Sequence, residues 1–501
     1  MGLAEAIPSE QESRAVTDLL DRRAAFWGVI ALAIVLFAVT NLPWQLDDYD
    51  QAKQAFTSFE MVKQGHWIYQ HTPNGWVATK PPLVGWISAG LFAVSRSWDL
   101  AWRLPSFLTG LALLFLIARA ASVYGSVAAL LAAGAFSLNL FTPRLATLVR
   151  TDMPLALILF VIGWLIWEKI RKREAWTTTN RLILFLLLSA AMLIKGPIVY
   201  AFLLPGIVAF QWRTRRERSA AGAWSGWWPW LASLAFFLFW ALGGMMRVPD
   251  FTEHVVIREF AGRFGEAVHR PQPFYFYLPH LLHRFAPWSL LLIILPLLAD
   301  RQQGVKMRER LRTMSAETFW LVAWSLGGLL VMSFVPSKRI DRVFPIVPPL
   351  CLLLAAQVGE FRTGEKLGRL VKTYCAVAIA IACLFTTGYA AERMFRSYRQ
   401  HDAAFATFGN AVRQEAATHG WNFEIVGGDD EGMALYLRRT EFLEPDQAAA
   451  AWKSGKLDGL VVPDDEFAEL LPRLPGAAPS KIGWSGPAGN YHRRYVFLVR
   501  P

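Results

Sequence analysis

The chain has 501 residues, 54% of them hydrophobic and 14% aromatic, and long charge-free runs recur as far as residue 391. So many runs of that length cannot share one water-soluble core, which excludes a soluble globular protein. The net charge of +12 lies mostly in short linkers between apolar runs, where it reports membrane topology rather than nucleic-acid binding.

Residues 1–23 are polar and read as a cytoplasmic N-terminal segment with no secretory signal. The apolar runs that follow are 24–46, 104–118, 120–143, 153–167, 182–194, 196–212, 219–246, 285–299, 318–337, 343–359 and 373–391. Most are close to the roughly 20 residues a helix needs to cross a hydrocarbon core. Arg14, Arg22 and Arg23 precede the first run, and the linkers 168–181, 213–218, 300–317 and 358–372 are rich in Lys and Arg. Basic linkers mark the cytoplasmic side. Parity then decides a further stretch, 81–95, which is short and opens with Pro81-Pro82. If it crossed, the 168–181 linker would fall outside, so it is predicted to be a juxtamembrane or re-entrant helix within one long external loop, 47–103. Eleven crossings then leave outside the segments 47–103, 143–152, Lys195-Gly196-Pro197, 247–284, 336–342 and the region beyond residue 392.

Residues 392–501 change character. The β-like runs Phe423–Val426, Ala434–Leu437, Leu457–Val462 and Tyr495–Val499 alternate with helical stretches 403–418 and 446–453. They predict a small soluble α/β domain. Cys351, Cys375 and Cys383 all sit in apolar runs and offer neither a disulfide framework nor a metal spacing.

The chemistry-bearing residues fall in the predicted external segments. Asp47, Asp48 and Asp50 follow the first helix, and Asp152 opens another in Arg150-Thr151-Asp152-Met153-Pro154. Two readings stand for these acids: caps of the helices they precede, or groups flanking one active site. Lys80 stands before Pro81-Pro82, and Lys195 interrupts two apolar runs; a lone interfacial Lys also snorkels to water without any further role. Lys338, Arg339 and Arg342 put positive charge on the side that topology disfavours, which points to a bound phosphate. Loop 247–284 carries Glu253-His254, Arg258, Arg263 and His269, then an aromatic run ending at Tyr277. His254 and His269 lack a metal-ligand spacing, so no cofactor is predicted, and dependence on a divalent metal stays open.

Taken in order, Asp50, Gly65-His66-Trp67, Lys80-Pro81-Pro82-Leu83, Asp152-Met153-Pro154, Lys195-Gly196, Glu253-His254, Arg263-Phe264, Pro273-Phe274-Tyr275 with Tyr277-Leu278-Pro279, and Pro345 with Pro348-Pro349-Leu350 form a pattern. It resembles the bacterial dolichyl-phosphate-mannose protein mannosyltransferase-like glycosyltransferases, whose relatives include the lipid A aminoarabinose transferases. The resemblance spans about residues 26–390. It implies a GT-C fold: a polytopic α-helical membrane protein of about 11–13 membrane helices over 24–391, with a small C-terminal soluble α/β domain over 392–501. It also implies transfer of a sugar from a polyprenyl-phosphate donor to a lipid, glycan or protein acceptor, at the outer face of a bacterial inner membrane. By the same resemblance Asp50 and Asp152 are catalytic, with Asp48 an alternative in the same loop. Lys80, Lys195, Arg263, Lys338, Arg339 and Arg342 are implied donor-phosphate ligands, and Glu253, His254 and Tyr277 are further site candidates. Here Gln51 replaces the Glu that usually follows the first-loop Asp, and Thr79 replaces the acid that often precedes Lys-Pro-Pro. A transporter or flippase of lipid-linked sugars would hold phosphate with the same cations, and is the alternative function.

Overall fold

The structure is a computed structural model that describes residues 23–41, 45–46, 48–215, 222–260, 262, 271–303, 309, 312–363, 365–400, 404–427, 430–488 and 492–500. Asp47, Arg263 and His269 lie outside the described residues. The apolar runs become helices because a backbone in hydrocarbon must satisfy its own hydrogen bonds. They are α1 (Arg23–Asn41), α4 (Trp98–Ala121), α5 (Ser126–Ser137), α6 (Asp152–Lys172), α7 (Thr178–Lys195), α8 (Val199–Thr214), α9 (Trp228–Arg247), α11 (Trp288–Gln303), α12 (Ala316–Phe334), α13 (Val347–Gly359) and α14 (Glu365–Gln400). Between them lie α2 (Tyr49–Gln64) and α3 (Leu83–Ser95), which pack on each other and on α4, and the short α10 (Tyr277–Arg284).

Among the described residues, eight stretches are long and apolar enough to cross a membrane, and a ninth forms if α10 and α11, bent by 94°, count as one span. One of the eight, Thr178–Thr214, is 37 residues long and folds back on itself. Trp176 at its start and Gln211 near its end both meet Gly222, while Lys195 at the bend pairs with Asp152. The returning leg, α8, runs antiparallel to α12: Phe202 lies beside Gly328, and Arg213 bonds the Met314 carbonyl. Helix α5, at 12 residues, falls well short of a bilayer core, and α13, at 13, reaches 20 residues only with the turn before it, as Ile340–Gly359. With both legs of the hairpin counted, each of the eleven runs expected to cross contains a helix.

Helices in lipid gain little from the hydrophobic effect and depend on close packing of small residues. Trp324 of α12 is fitted between Gly163 of α6 and Gly206 of α8. A Cβ on Gly206 would stand 2.9 Å from the Trp324 Cα, so this helix crossing admits no side chain there. The result orients α6, which carries Asp152 at one end and Lys169, Arg171 and Lys172 at the other. Its 21 residues separate those ends by about 30 Å.

Beyond α14, helix α15 (Ala404–His419) leads into β1 (Phe423–Ile425), α16 (Glu431–Leu437), α17 (Pro445–Lys453), β2 (Gly459–Pro463), α18 (Asp464–Leu470), β3 (Ala478–Trp484) and β4 (Tyr495–Val499). The sheet order is β1-β2-β4-β3, with β1 and β2 parallel and the other pairs antiparallel. Residues 434–437 are helical, not the strand expected, and β3 was not anticipated. The reason is burial on every side: all seven residues of α16 are buried between α2 and α15, so the run shows no strand alternation to distinguish it from a core helix. This region shares an apolar core with the first loop, joining Leu46, Phe56, Phe59, Trp98 and Trp102 to Phe405, Phe408, Val412, Tyr436 and Phe442. Polar ties reinforce it: Gln45 accepts from the Phe405 amide at 2.8 Å, and Asn74 exchanges two hydrogen bonds with Phe442 at 2.7 and 3.2 Å.

Candidate active site

Asp48, not Asp50, caps α2: its side chain accepts from the Gln51 amide at 3.2 Å. That leaves Asp50, in the first turn, free to face the bundle. Its Oδ2 accepts from Arg339 Nη1 at 2.6 Å and from Arg150 Nη2 at 3.1 Å. The second acid is no side-chain cap either. Thr151 occupies the cap position of α6, and Asp152, 4% exposed, pairs with Lys195 at 2.5 Å. Lys195 can reach it because the chain breaks at Gly196, whose φ of +70° ends α7 beside the start of α6.

A third acid, Asp341, joins the two halves. It accepts from Arg150 Nη1 at 2.5 Å and from Arg339 Nη2 at 3.4 Å, so both arginines bridge Asp50 and Asp341. Arg150 also lies 3.5 Å from Asp48. Gln51, in place of the expected acid, accepts from the Val149 amide at 3.1 Å and so fixes the segment that presents Arg150. Lys80 is close enough to Lys195, Asp152, Asp50 and Arg150 to feel the charge of each. Burial and the neighbouring Lys195 push its ammonium down to about 8. Burial pushes the Asp50 carboxyl up, but Arg339 and Arg150 outweigh it and hold the group below the usual aspartate range.

The other predicted residues are arranged differently. Lys338, 6% exposed, donates to the Gln272 carbonyl at 2.8 Å, and Arg342 donates to the Ser337 carbonyl at 2.6 Å. Of that cationic turn only Arg339 bonds directly to the acids. Tyr277 is fully buried and close to Arg342. Glu253 is exposed, and His254 lies against Trp76 with ring centroids 5.5 Å apart. Neither pairs with the acids among the described residues.

Beside the acid–arginine network opens a cavity of about 210 Å³. Apolar Leu140, Phe141, Leu145, Leu148 and Ile340 line one part, and Arg144, Arg150, Arg284 and Arg339 crowd the other, with Asp341 among them. Sequence reasoning missed Arg144, Arg150, Arg284 and Asp341. Arg150 carried a usable signal, since it too places positive charge in a predicted external segment. Asp341 sat inside the cationic turn already singled out. Chemically, an apolar cleft ending in several guanidinium groups suits an anion attached to a hydrocarbon chain.

Fold and site together define a polytopic membrane protein of GT-C architecture, with acids and cations collected at one end of its helix bundle. The family model for dolichyl-phosphate-mannose-protein mannosyltransferases matches residues 79–243. The chain is similar to the undecaprenyl phosphate-alpha-4-amino-4-deoxy-L-arabinose arabinosyl transferase 1 of Sodalis glossinidius, 30% identical over 365 residues, covering 68% of this chain and 60% of that protein. The corresponding transferase of Edwardsiella ictaluri is 25% identical over 360 residues, covering 69% and 61%. The chain thus spans about three-fifths of the length of these curated relatives. In fold it matches the crystal structure of ArnT from Cupriavidus metallidurans bound to undecaprenyl phosphate, with a TM-score of 0.67 at 17% identity, covering 94% of this chain and 97% of that one. The archaeal oligosaccharyltransferase AglB of Archaeoglobus fulgidus, solved with an inhibitory peptide and a dolichol-phosphate, matches with a TM-score of 0.51 at 12% identity, over 88% and 70%.

Proposed function

We propose that this chain is an inverting glycosyltransferase. It moves a sugar from a polyprenyl-phosphate carrier of the undecaprenyl type to a hydroxyl or phosphate of a lipid, glycan or protein acceptor, at the outer face of a bacterial inner membrane. One observation carries the reading: Asp50 is bound by Arg339 and Arg150, two of the arginines that line a cleft together with apolar side chains. The names and ligands of the similar proteins support the same donor class.

In this reading the isoprenoid lies along Leu140, Phe141, Leu145 and Leu148, and the donor phosphate meets Arg150, Arg339 and Lys80. The acceptor oxygen attacks the anomeric carbon from the face opposite the phosphate. The carbon–oxygen bond to phosphate breaks, and its electron pair leaves on the polyprenyl phosphate, where the cations offset the growing charge. A phosphate held this way departs without a general acid.

The proton of an acceptor hydroxyl passes to Asp50. With both arginines on it, Asp50 is a weak base, because they hold its carboxyl low. The donor's phosphodiester, a monoanion that gains a second charge as its bond to the sugar breaks, competes for the same guanidinium groups. Donor binding therefore draws Arg339 and Arg150 toward the phosphate and makes Asp50 more basic when the nucleophile needs it. Asp152 positions Lys195 rather than touching substrate.

Purified protein incubated with labelled polyprenyl-phosphate sugars and membrane extracts tests the proposal. The expected result is label moved to an acceptor with release of polyprenyl phosphate. Intact donor carried across a proteoliposome bilayer, with no bond cleaved, would overturn it in favour of a flippase.

A further inference from the structure

A second polar cluster lies at the other end of α2, ten residues from Asp50 or about 15 Å along the helix. Glu60 is 3% exposed, on a face that packs into the protein. The chain then ends α2 at Gly65, whose φ is +82°, and doubles back so that His66 and His71 stand over that carboxylate. Glu60 Oε1 contacts His66 Nδ1, and the two imidazole centroids are 4.2 Å apart. One ligand atom from each of the three residues lies within 4.8 Å of the others.

Two of the available ligand atoms are sealed from solvent without a hydrogen bond: Glu60 Oε2 and His71 Nδ1. An orphaned carboxylate oxygen in a buried site is costly. The His71 amide faces the carboxylate and the Tyr69 carbonyl faces the His71 ring. A carbonyl in that place is what orients a metal-bound imidazole.

The geometry points to a mononuclear metal site made by Glu60, His66 and His71, which takes Zn²⁺ or a transition-metal cation of similar preference, with water completing its shell. Two nitrogens and one carboxylate oxygen suit zinc, whereas Mg²⁺ and Ca²⁺ prefer oxygen ligands throughout. The His66 side chain is 48% exposed, which leaves the ion a way in. The ligand atoms must draw closer than they stand, since zinc–ligand bonds are about 2.0–2.2 Å. His66, at the exposed tip of the turn, is the residue placed to do so.

The site's role is to position. Gln70, next to His71, donates to the Lys80 and Pro81 carbonyls at 2.9 and 3.1 Å. Ile68 and Tyr69 bond Trp240 of α9 at 3.1 and 3.2 Å. A metal that staples His66 and His71 to α2 therefore also fixes the segment that sets Lys80.

The full chain, purified in detergent and stripped with a chelator, is titrated with Co²⁺ and then Zn²⁺. Wild-type protein is expected to bind one Co²⁺ per chain with visible ligand-field absorption, to lose that absorption to Zn²⁺, and to melt at a higher temperature with Zn²⁺ but not with Mg²⁺. His66→Asn, at the exposed ligand, is expected to fold as wild type and to weaken Co²⁺ binding by about 100-fold or more, since even orienting partners of metal ligands cost up to that much. His71→Ala is expected to abolish the absorption. Absent Co²⁺ absorption in the wild type, or Co²⁺ binding unchanged in His66→Asn and His71→Ala, would overturn the assignment.

Discussion

Replacing Asp50 by Asn separates charge from shape. The amide oxygen can still accept from Arg339, which now donates at 2.6 Å, but it offers no negative charge to either arginine. Both guanidinium groups keep Asp341, so neither is left unpaired. Hydrogen bonds to charged groups contribute roughly 1.5–3 kcal/mol. The Asp50 side chain is 33% exposed, which screens that contribution. The expected loss of stability is therefore small, on the order of 1 kcal/mol. Loss of the proton acceptor has a larger consequence, because general-base catalysis typically contributes ~10²–10⁴-fold, or ~3–5 kcal/mol of barrier. The assay pairs initial rates of sugar transfer with a melting curve in the same detergent. Transfer within about threefold of wild type, with an unchanged melting curve, would remove Asp50 from the chemistry.

Three further outcomes follow from the geometry. Lys195→Met leaves Asp152 buried without its cation, and breaking a buried pair from one side costs about 3–5 kcal/mol, so a lowered melting temperature is expected; Lys195→Met with Asp152→Asn should recover most of it, and no recovery would refute the pairing. Lys80 is a charge kept at a cost to the fold, because burial pushes its ammonium down to about 8 from an ordinary 10.5. Below about 8 both folded and unfolded lysine are charged and the penalty is full; it is relieved as pH rises from there toward 10.5, where the folded state has shed its proton first. Polyprenyl phosphate should consequently bind more weakly as pH rises through about 8, and Lys80→Arg should flatten that dependence; an equal slope in both proteins counts against a direct role for Lys80. Gly206→Ala should lower the melting temperature by the ~1–3 kcal/mol typical of overpacking, since its Cβ meets Trp324 backbone that cannot swing aside, and an unchanged melt would refute the close crossing of α8 and α12.

The membrane character was legible from hydrophobicity alone, and each run expected to cross contains a helix, because hydrocarbon leaves an apolar run no alternative. Charge parity went further. It kept 81–95 out of the crossing set and grouped Asp50, Lys80, Asp152, Lys195 and Arg339 on one side, and these are residues the structure brings together. What sequence position could not supply was pairing. Asp50 and Arg339 are 289 residues apart, and Arg150 and Asp341 are 191 apart, so their contact depends on how α2, α6 and the turn before α13 pack. The same holds for the caps: a run of acids before a helix does not say which one bonds the first turn, and Asp48 rather than Asp50 does so because its backbone is extended at the cap position. Residues 434–437 were misread since a run buried on all sides has no periodicity to separate helix from strand. Glu60, His66 and His71 went unrecognised because their spacing matches no ligand motif until Gly65 turns the chain. Local composition determined which stretches of this chain become helices apolar enough to lie in a membrane; the partners of each buried charge were decided only by tertiary packing, because Coulombic and hydrogen-bond energies act over ångströms and carry no mark along the chain.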